Sequence, residues 1–137
     1  RIMQNKTFAI IKPDAIENKY MGEIIDVVIK NKFDILNARL ITMSKDQAEG
    51  FYAVHKERPF FRDLVSFMCS GPCMVMELEK NNAVTEWRNL IGATDPNEAD
   101  EGTIRKLFAE SKERNSVHGS DSDENATIEI NFFFKND

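Results

Sequence analysis

A chain of 137 residues, 42% hydrophobic and 30% charged, is long enough for one domain with a buried core. No run approaches the roughly 18 apolar residues that a membrane-spanning helix needs. A formal net charge of −5 and a sequence pI of about 5.1 exclude a nonspecific nucleic-acid surface, which is basic, so any phosphate must be met by a local cluster of Arg and Lys.

The chain begins at Arg1, and residues 1–3 are expected to be processed or non-native, with Met3 as a candidate start. One domain is expected over residues 1–137, with no secretory signal before it. The run KTFAIIK, closed by Lys12 and Pro13, reads as a buried strand. GEIIDVVIKNK carries Ile24, Ile25 and Val28 at helical spacing and reads as a helix after Gly22. FDILNARLITMS is β-rich and predicts a second strand. KDQAEGFYAVHK predicts a polar helix carrying Phe51 and Tyr52. Pro59 interrupts, and FFRDLVSFM resumes helical spacing. CMVMELE alternates, with Met74, Met76 and Leu78 on one face of a strand. NNAVTEWRNLIG predicts a helix capped by Asn81 or Asn82. From Gly92 to Asn115 the chain reads mostly as loop, with a short helical piece at TIRKLF, and loops of that length commonly carry function. The tail SDSDENATIEINFFF alternates like a strand but also carries a helical stripe of Ala126, Ile130, Phe133 and Phe134 after Ser122 and two acids, which favours a helix. This order predicts an α+β sandwich, an antiparallel sheet with helices on one face.

Cys69 and Cys73 flank Ser-Gly-Pro. The spacing admits a strained disulfide or half a metal site. No second Cys or His cluster completes a metal site, so the pair reads as two free thiols in a reducing compartment.

The segment NSVHGSDSDENA holds one of only two histidines. Between Val117 and Ala126 it has no aliphatic side chain that could pack on the ring. A lone His beside Gly is ordinarily a surface or capping residue, and His55, at the end of a polar helix, carries a weaker case still. Arg88, Arg105 and Lys12, taken singly, read as solvated charges. Taken together they change the reading of His118. It sits in a turn-rich segment whose backbone N–H groups can face an anion, two arginines flank the long loop, and Lys12 ends a strand. Glu129, one to two turns into the last helix, can accept a hydrogen bond from one imidazole nitrogen and leave the other as nucleophile.

The pieces TFAIIKPDA, GEII, RPFF, SGP, GATDP, GTIR and NSVHGSDS, in this order from Lys6 to Phe134, resemble the nucleoside diphosphate kinase family, the last being its signature around a phosphorylated histidine. The resemblance implies a ferredoxin-like core. It also implies that His118 takes the γ-phosphoryl group of a nucleoside triphosphate, mainly ATP, and passes it to another diphosphate. Lys12 and Asn115 would contact the ribose and neighbouring phosphates. Arg88, Thr94 and Arg105 would hold the phosphates, and Phe60 would stack on the base. Tyr52 would sit near His118, while Glu129 orients its ring with support from Ser120. Mg²⁺ would ride on the nucleotide phosphates with no ligand from the protein. A hexamer or tetramer in the cytoplasm is implied, without a membrane or a specific nucleic acid as partner. Ala15, Asp95, Glu101 and the pair Lys106-Leu107 depart from the family's frequent glycine, asparagine, proline and Gly-Asp. None of these positions carries assigned chemistry. A regulatory nucleotide-binding module on the same fold would most simply lack the histidine or an arginine. A histidine phosphocarrier docking on proteins would not need Lys12, Phe60 and Asn115.

Overall fold

The computed structural model describes residues 5–134; the expectation for residues 1–3 lies outside them. Four strands form one antiparallel sheet: β1 (Lys6–Ile11), β2 (Asp34–Ile41), β3 (Cys73–Glu79) and β4 (Val117–Gly119), in the order β2-β3-β1-β4. The helices are α1 (Pro13–Glu17), α2 (Met21–Lys30), α3 (Lys45–Phe51), α4 (Phe61–Met68), α5 (Ala83–Ile91), α6 (Ile104–Phe108) and α7 (Asp123–Phe134). This is the predicted α+β, ferredoxin-like sandwich.

Strand alternation explains how the sheet is covered. Successive side chains point to opposite faces, and in β1 and β3 both faces are buried. Phe8, Ile10 and Val75 pack with Ala48, Val65, Ile130 and Phe134, so α3, α4 and α7 cover one face. Ala9, Ile11, Met76 and Leu78 pack with Ile24, Val28, Trp87 and Ile104, so α2, α5 and α6 cover the other. The expectation of helices on one face is thereby corrected. The continuous apolar run FAII in β1 is the trace of double coverage, because a sheet with one wet face would alternate with polar residues.

Local chemistry sets the element ends. Ser44 and Gln47 form a reciprocal capping box at the start of α3. That helix stops at Phe51, and a 3₁₀ turn covers Ala53–His55 in place of one long helix. Asn82 occupies the cap position of α5, but with a left-handed φ of 56° and no side-chain capping bond. Ser122 Oγ accepts from the Asn125 N–H at 3.1 Å, and the tail is helical as favoured.

Two elements were not expected. Pro13 opens α1, because its missing N–H is harmless in a first turn. Ala15, fully buried in that helix, suits it better than glycine would. The second is β4, where His118 lies on a paired strand and not in a turn. Ile10 pairs with His118 and Ala9 with Gly119. A three-residue strand is too short to show period-two patterning, and its pairing comes from β1, more than 100 positions away.

Candidate active site

Strand parity fixes the direction of His118. Val117 points to the face of Ile104 and Trp87, so His118 points to the opposite face, beside Phe8. The ring lies 6.1 Å from Phe8 and 5.5 Å from Phe51, edge-on to both. The apolar packing missing from its own segment therefore comes from β1 and α3. The first turns of α7 bring Glu129 to the ring, with His118 Nε2 and Glu129 Oε1 2.8 Å apart. Ser120 Oγ donates to the same oxygen at 2.7 Å. An ionised carboxylate only accepts, so Nε2 carries the proton and Nδ1 keeps its lone pair. Both side chains remain 19% exposed, so the pair is reachable from solvent.

Behind the strand, Trp87 Nε1 donates to the His118 carbonyl at 3.1 Å. A Cβ on Gly119 would come within 2.6 Å of the Trp87 ring, so only glycine admits the indole there. Sequence reading gave no role to Phe8, Phe51 or Trp87. Each looks like an ordinary core residue until its partner is known.

The cations gather on the side of α5, α6 and the end of β1. Lys12 Nζ donates to Asn115 Oδ1 at 2.9 Å, and Asn115 Nδ2 reaches the Thr94 carbonyl at 3.4 Å. Arg105 is buried and partly committed to the main chain, donating to the carbonyls of Gly92 and Val117 at 2.9 Å each. Its Nε finds no partner among the described residues. Arg88, Thr94, Arg105 and His118 line one cavity of about 530 Å³, with Glu98 and Asp100 also in its wall. Burial and, next, Arg105 lower the Lys12 ammonium to about 8, with Asp14 opposing. Burial and then Arg88 lower Arg105 to about 10. Clustered cations that depress one another present a seat for an anion of several charges.

Lys12, Asn115, Glu129 and Ser120 are not among that cavity's lining residues, and Phe60 and Tyr52 stand apart from it as well. Phe60, at the start of α4, is 48% exposed with its ring 5.4 Å from His55, an open flat face and not a wall of the phosphate pocket. Tyr52 is buried, and its hydroxyl has no partner among the described residues. Burial, then the neighbouring Cys73 and Glu129, raise its proton affinity. The ring in direct contact with His118 on that helix is Phe51.

Comparison with known proteins shows the family. A family model described as nucleoside diphosphate kinase matches residues 5–137. The chain belongs to the nucleoside diphosphate kinase family. It is 57% identical over 128 residues to a nucleoside diphosphate kinase of Lawsonia intracellularis, covering 93% of each chain. It is 59% identical over 130 residues to one of Rhizorhabdus wittichii, covering 95% of this chain and 93% of the relative. Among solved structures, the Aquifex aeolicus nucleoside diphosphate kinase superposes with a TM-score of 0.93 at 41% identity, covering 95% of this chain and 94% of that one. As a member of this family the chain is an enzyme, a phosphotransferase acting on nucleotides. Two of the noted departures fit their sites. Asp95 caps the 3₁₀ turn Pro96–Glu98 by accepting from the Asn97 N–H at 2.9 Å, as asparagine would, and Ala15 sits in α1.

Proposed function

We propose that His118 Nδ1 is the atom that carries the phosphoryl group. The observation that carries this reading is the 2.8 Å pair between Nε2 and Glu129, which leaves Nδ1 as the imidazole lone pair beside the cation-lined cavity. Nδ1 attacks the γ-phosphorus of a bound triphosphate. The N–P bond forms as the bond to the β–γ bridging oxygen breaks, and the diphosphate leaves with that oxygen. The proton on Nε2 stays between His118 and Glu129, which stabilises the positive ring. A second diphosphate then attacks by the reverse route, and the histidine is restored.

Phosphoryl transfer asks mainly for placement and charge neutralisation. Lys12, Arg88 and Arg105 supply charge, Thr94 and Asn115 supply polar contacts, and the guanidiniums offer fixed forks to spread-out oxygen charge. Phe60 supplies a stacking face that every base can use, which supports acceptance of purines and pyrimidines alike. Ser120 steadies Glu129, and Tyr52 packs edge-on against Phe51, the ring beside His118. No three His, Cys, Asp or Glu side chains converge among the described residues. On this reading Mg²⁺ would be held by the nucleotide's phosphate oxygens and would neutralise their charge.

The working form is a homo-oligomer, hexamer or tetramer. The edge strand β2 exposes Leu36 at 41% and Leu40 at 54%, with Ile29 of α2 at 51%, apolar area that a second copy covers. The proposed compartment is the cytoplasm, in keeping with free thiols at Cys69 and Cys73. No helix among the described residues is long and apolar enough to cross a membrane.

The test is incubation with γ-labelled ATP followed by a chase with GDP, CDP or thymidine diphosphate. Acid-labile label is expected on the protein and then in each triphosphate at comparable rates. Label that stays on the protein contradicts the relay. A preference on the order of a thousandfold for one base contradicts the stacking account.

A further inference from the structure

The backbone between the nucleotide-facing Asn115 and the nucleophile His118 takes a conformation that its sequence disfavours. Ser116 has φ 74°, a left-handed value that glycine adopts freely and a side chain with Cβ resists. The Val117 N–H donates back to the Asn115 carbonyl at 2.9 Å, which closes a tight three-residue turn. Ser116 is fully buried. Its carbonyl accepts from the Lys12 N–H at 2.8 Å, and its own N–H donates to Asp14 Oδ2 at 3.0 Å. Strain of this kind persists only where its surroundings over-determine it, and Asp14 is the partner that captures the turn's inner N–H.

Asp14 is buried beside that N–H. It is 1% exposed, and its second oxygen, Oδ1, has no partner among the described residues, so the bond from Ser116 is the contact that fixes its side chain. An asparagine would accept the same bond, whereas an alanine would leave the turn's N–H without it.

We propose that Asp14 is a positioning residue for phosphoryl transfer, its side-chain oxygen holding the strained Ser116 turn that sets Asn115 and His118 against Lys12. The inference rests on the His118 relay described above. The charged groups acting on Lys12 are Arg105 of α6, which favours proton loss, and Asp14 of α1, which opposes it. Burial raises the Asp14 carboxyl above its ordinary range, while the Ser116 N–H and then Lys12 and Arg114 oppose that rise, and Arg114 is itself paired with Glu17 and Glu110.

Three variants test this: Asp14→Ala, Asp14→Asn, and Asp14→Ala combined with Ser116→Gly. Each is measured by melting temperature and by the single-turnover rate of His118 phosphorylation at saturating ATP. Asp14→Ala is expected to phosphorylate on the order of ten- to a hundredfold more slowly, the scale of a small misplacement of reacting groups. Asp14→Asn, which keeps the acceptor, restores most of the rate. In the double variant glycine adopts the positive φ without strain, so part of the rate returns. Asp14→Ala that melts lower but phosphorylates at the wild-type rate makes Asp14 a structural brace and overturns the proposal. Asp14→Asn or a double variant as slow as Asp14→Ala overturns the role of the turn. Wild-type protein that takes no acid-labile phosphate from ATP overturns the relay itself.

Discussion

Around His118 the polar side chains satisfy one another, whereas around Lys12 three cations crowd together with the buried Asp14 carboxylate as the acid acting on Lys12. On the first side, Glu129 accepts from both the imidazole and Ser120. On the second, Lys12 is held below its ordinary proton affinity by burial and Arg105, and Arg105 by burial and Arg88. The difference separates two ways of preparing for one reaction. The nucleophile is preorganised by partners inside the protein, so nothing must rearrange when phosphate arrives. The cations are left short of negative charge, and the substrate's phosphates supply it. The strength of such sites lies in being unsatisfied until the correct anion binds.

The largest expected effect breaks the nucleophile side. His118→Ala abolishes phosphoenzyme formation while leaving nucleotide binding and the melting temperature largely intact, as labelling with γ-labelled ATP and calorimetry show. Labelled protein persisting in that variant assigns the acceptor elsewhere. Glu129→Gln keeps a group that can hold the ring but removes the charge that stabilises the imidazolium. Single-turnover phosphorylation should slow on the order of 10–1,000-fold without vanishing, and unchanged kinetics would leave Glu129 a mere helix-surface acid.

The cation side is read by pH. The Lys12 ammonium has a lowered pKa of about 8 against an ordinary 10.5, so the free enzyme loses this charge as pH rises through about 8. The profile of kcat/KM, which reports the free enzyme, should fall there. The profile of kcat should fall only at higher pH, because bound phosphates restore the proton. Coincident limbs would mean that the phosphates do not face Lys12. The stability effect has the opposite sign. The unfolded chain holds more protons between about pH 8 and 10.5, so the Lys12 contribution to folding becomes more favourable as pH rises through that window.

The two sides also differed in how well the sequence announced them. His118, Lys12, Arg88 and Arg105 read singly as ordinary surface residues, and with Glu129 they gained a chemical meaning only as a group and through the resemblance of their motifs to one family. The chain's double-sided sheet was half-legible: FAII in β1 marked burial, yet the helices that cover each face are set by packing between distant elements. The strand under His118, the Phe8 and Phe51 walls and the Trp87 bond were not legible, since each depends on a partner far away in the chain. Asp14 passed unnoticed for the same reason. Its meaning comes from the Ser116 N–H, 102 positions along the chain.

The smallest expected effect lies outside both regions. Glu101 is exposed in the turn before Gly102, and its N–H donates to no acceptor among the described residues. Glu101→Pro should stabilise by about 0.4–1 kcal/mol per chain by restricting the unfolded state, with phosphotransfer nearly unchanged. Thermal melts at equal protein concentration check it, and a lower melting temperature would show the loop backbone to be incompatible with proline.

The central claim is that Glu129 holds Nε2 and leaves Nδ1 to take the phosphoryl group. Correlated ¹H, ¹⁵N and ³¹P NMR of protein labelled at histidine and phosphorylated by ATP reads this directly, because the two ring nitrogens give different coupling patterns. The account predicts phosphorus on Nδ1 of His118, with the signal lost when GDP is added. Phosphorus on Nε2, or on any residue other than His118, contradicts it.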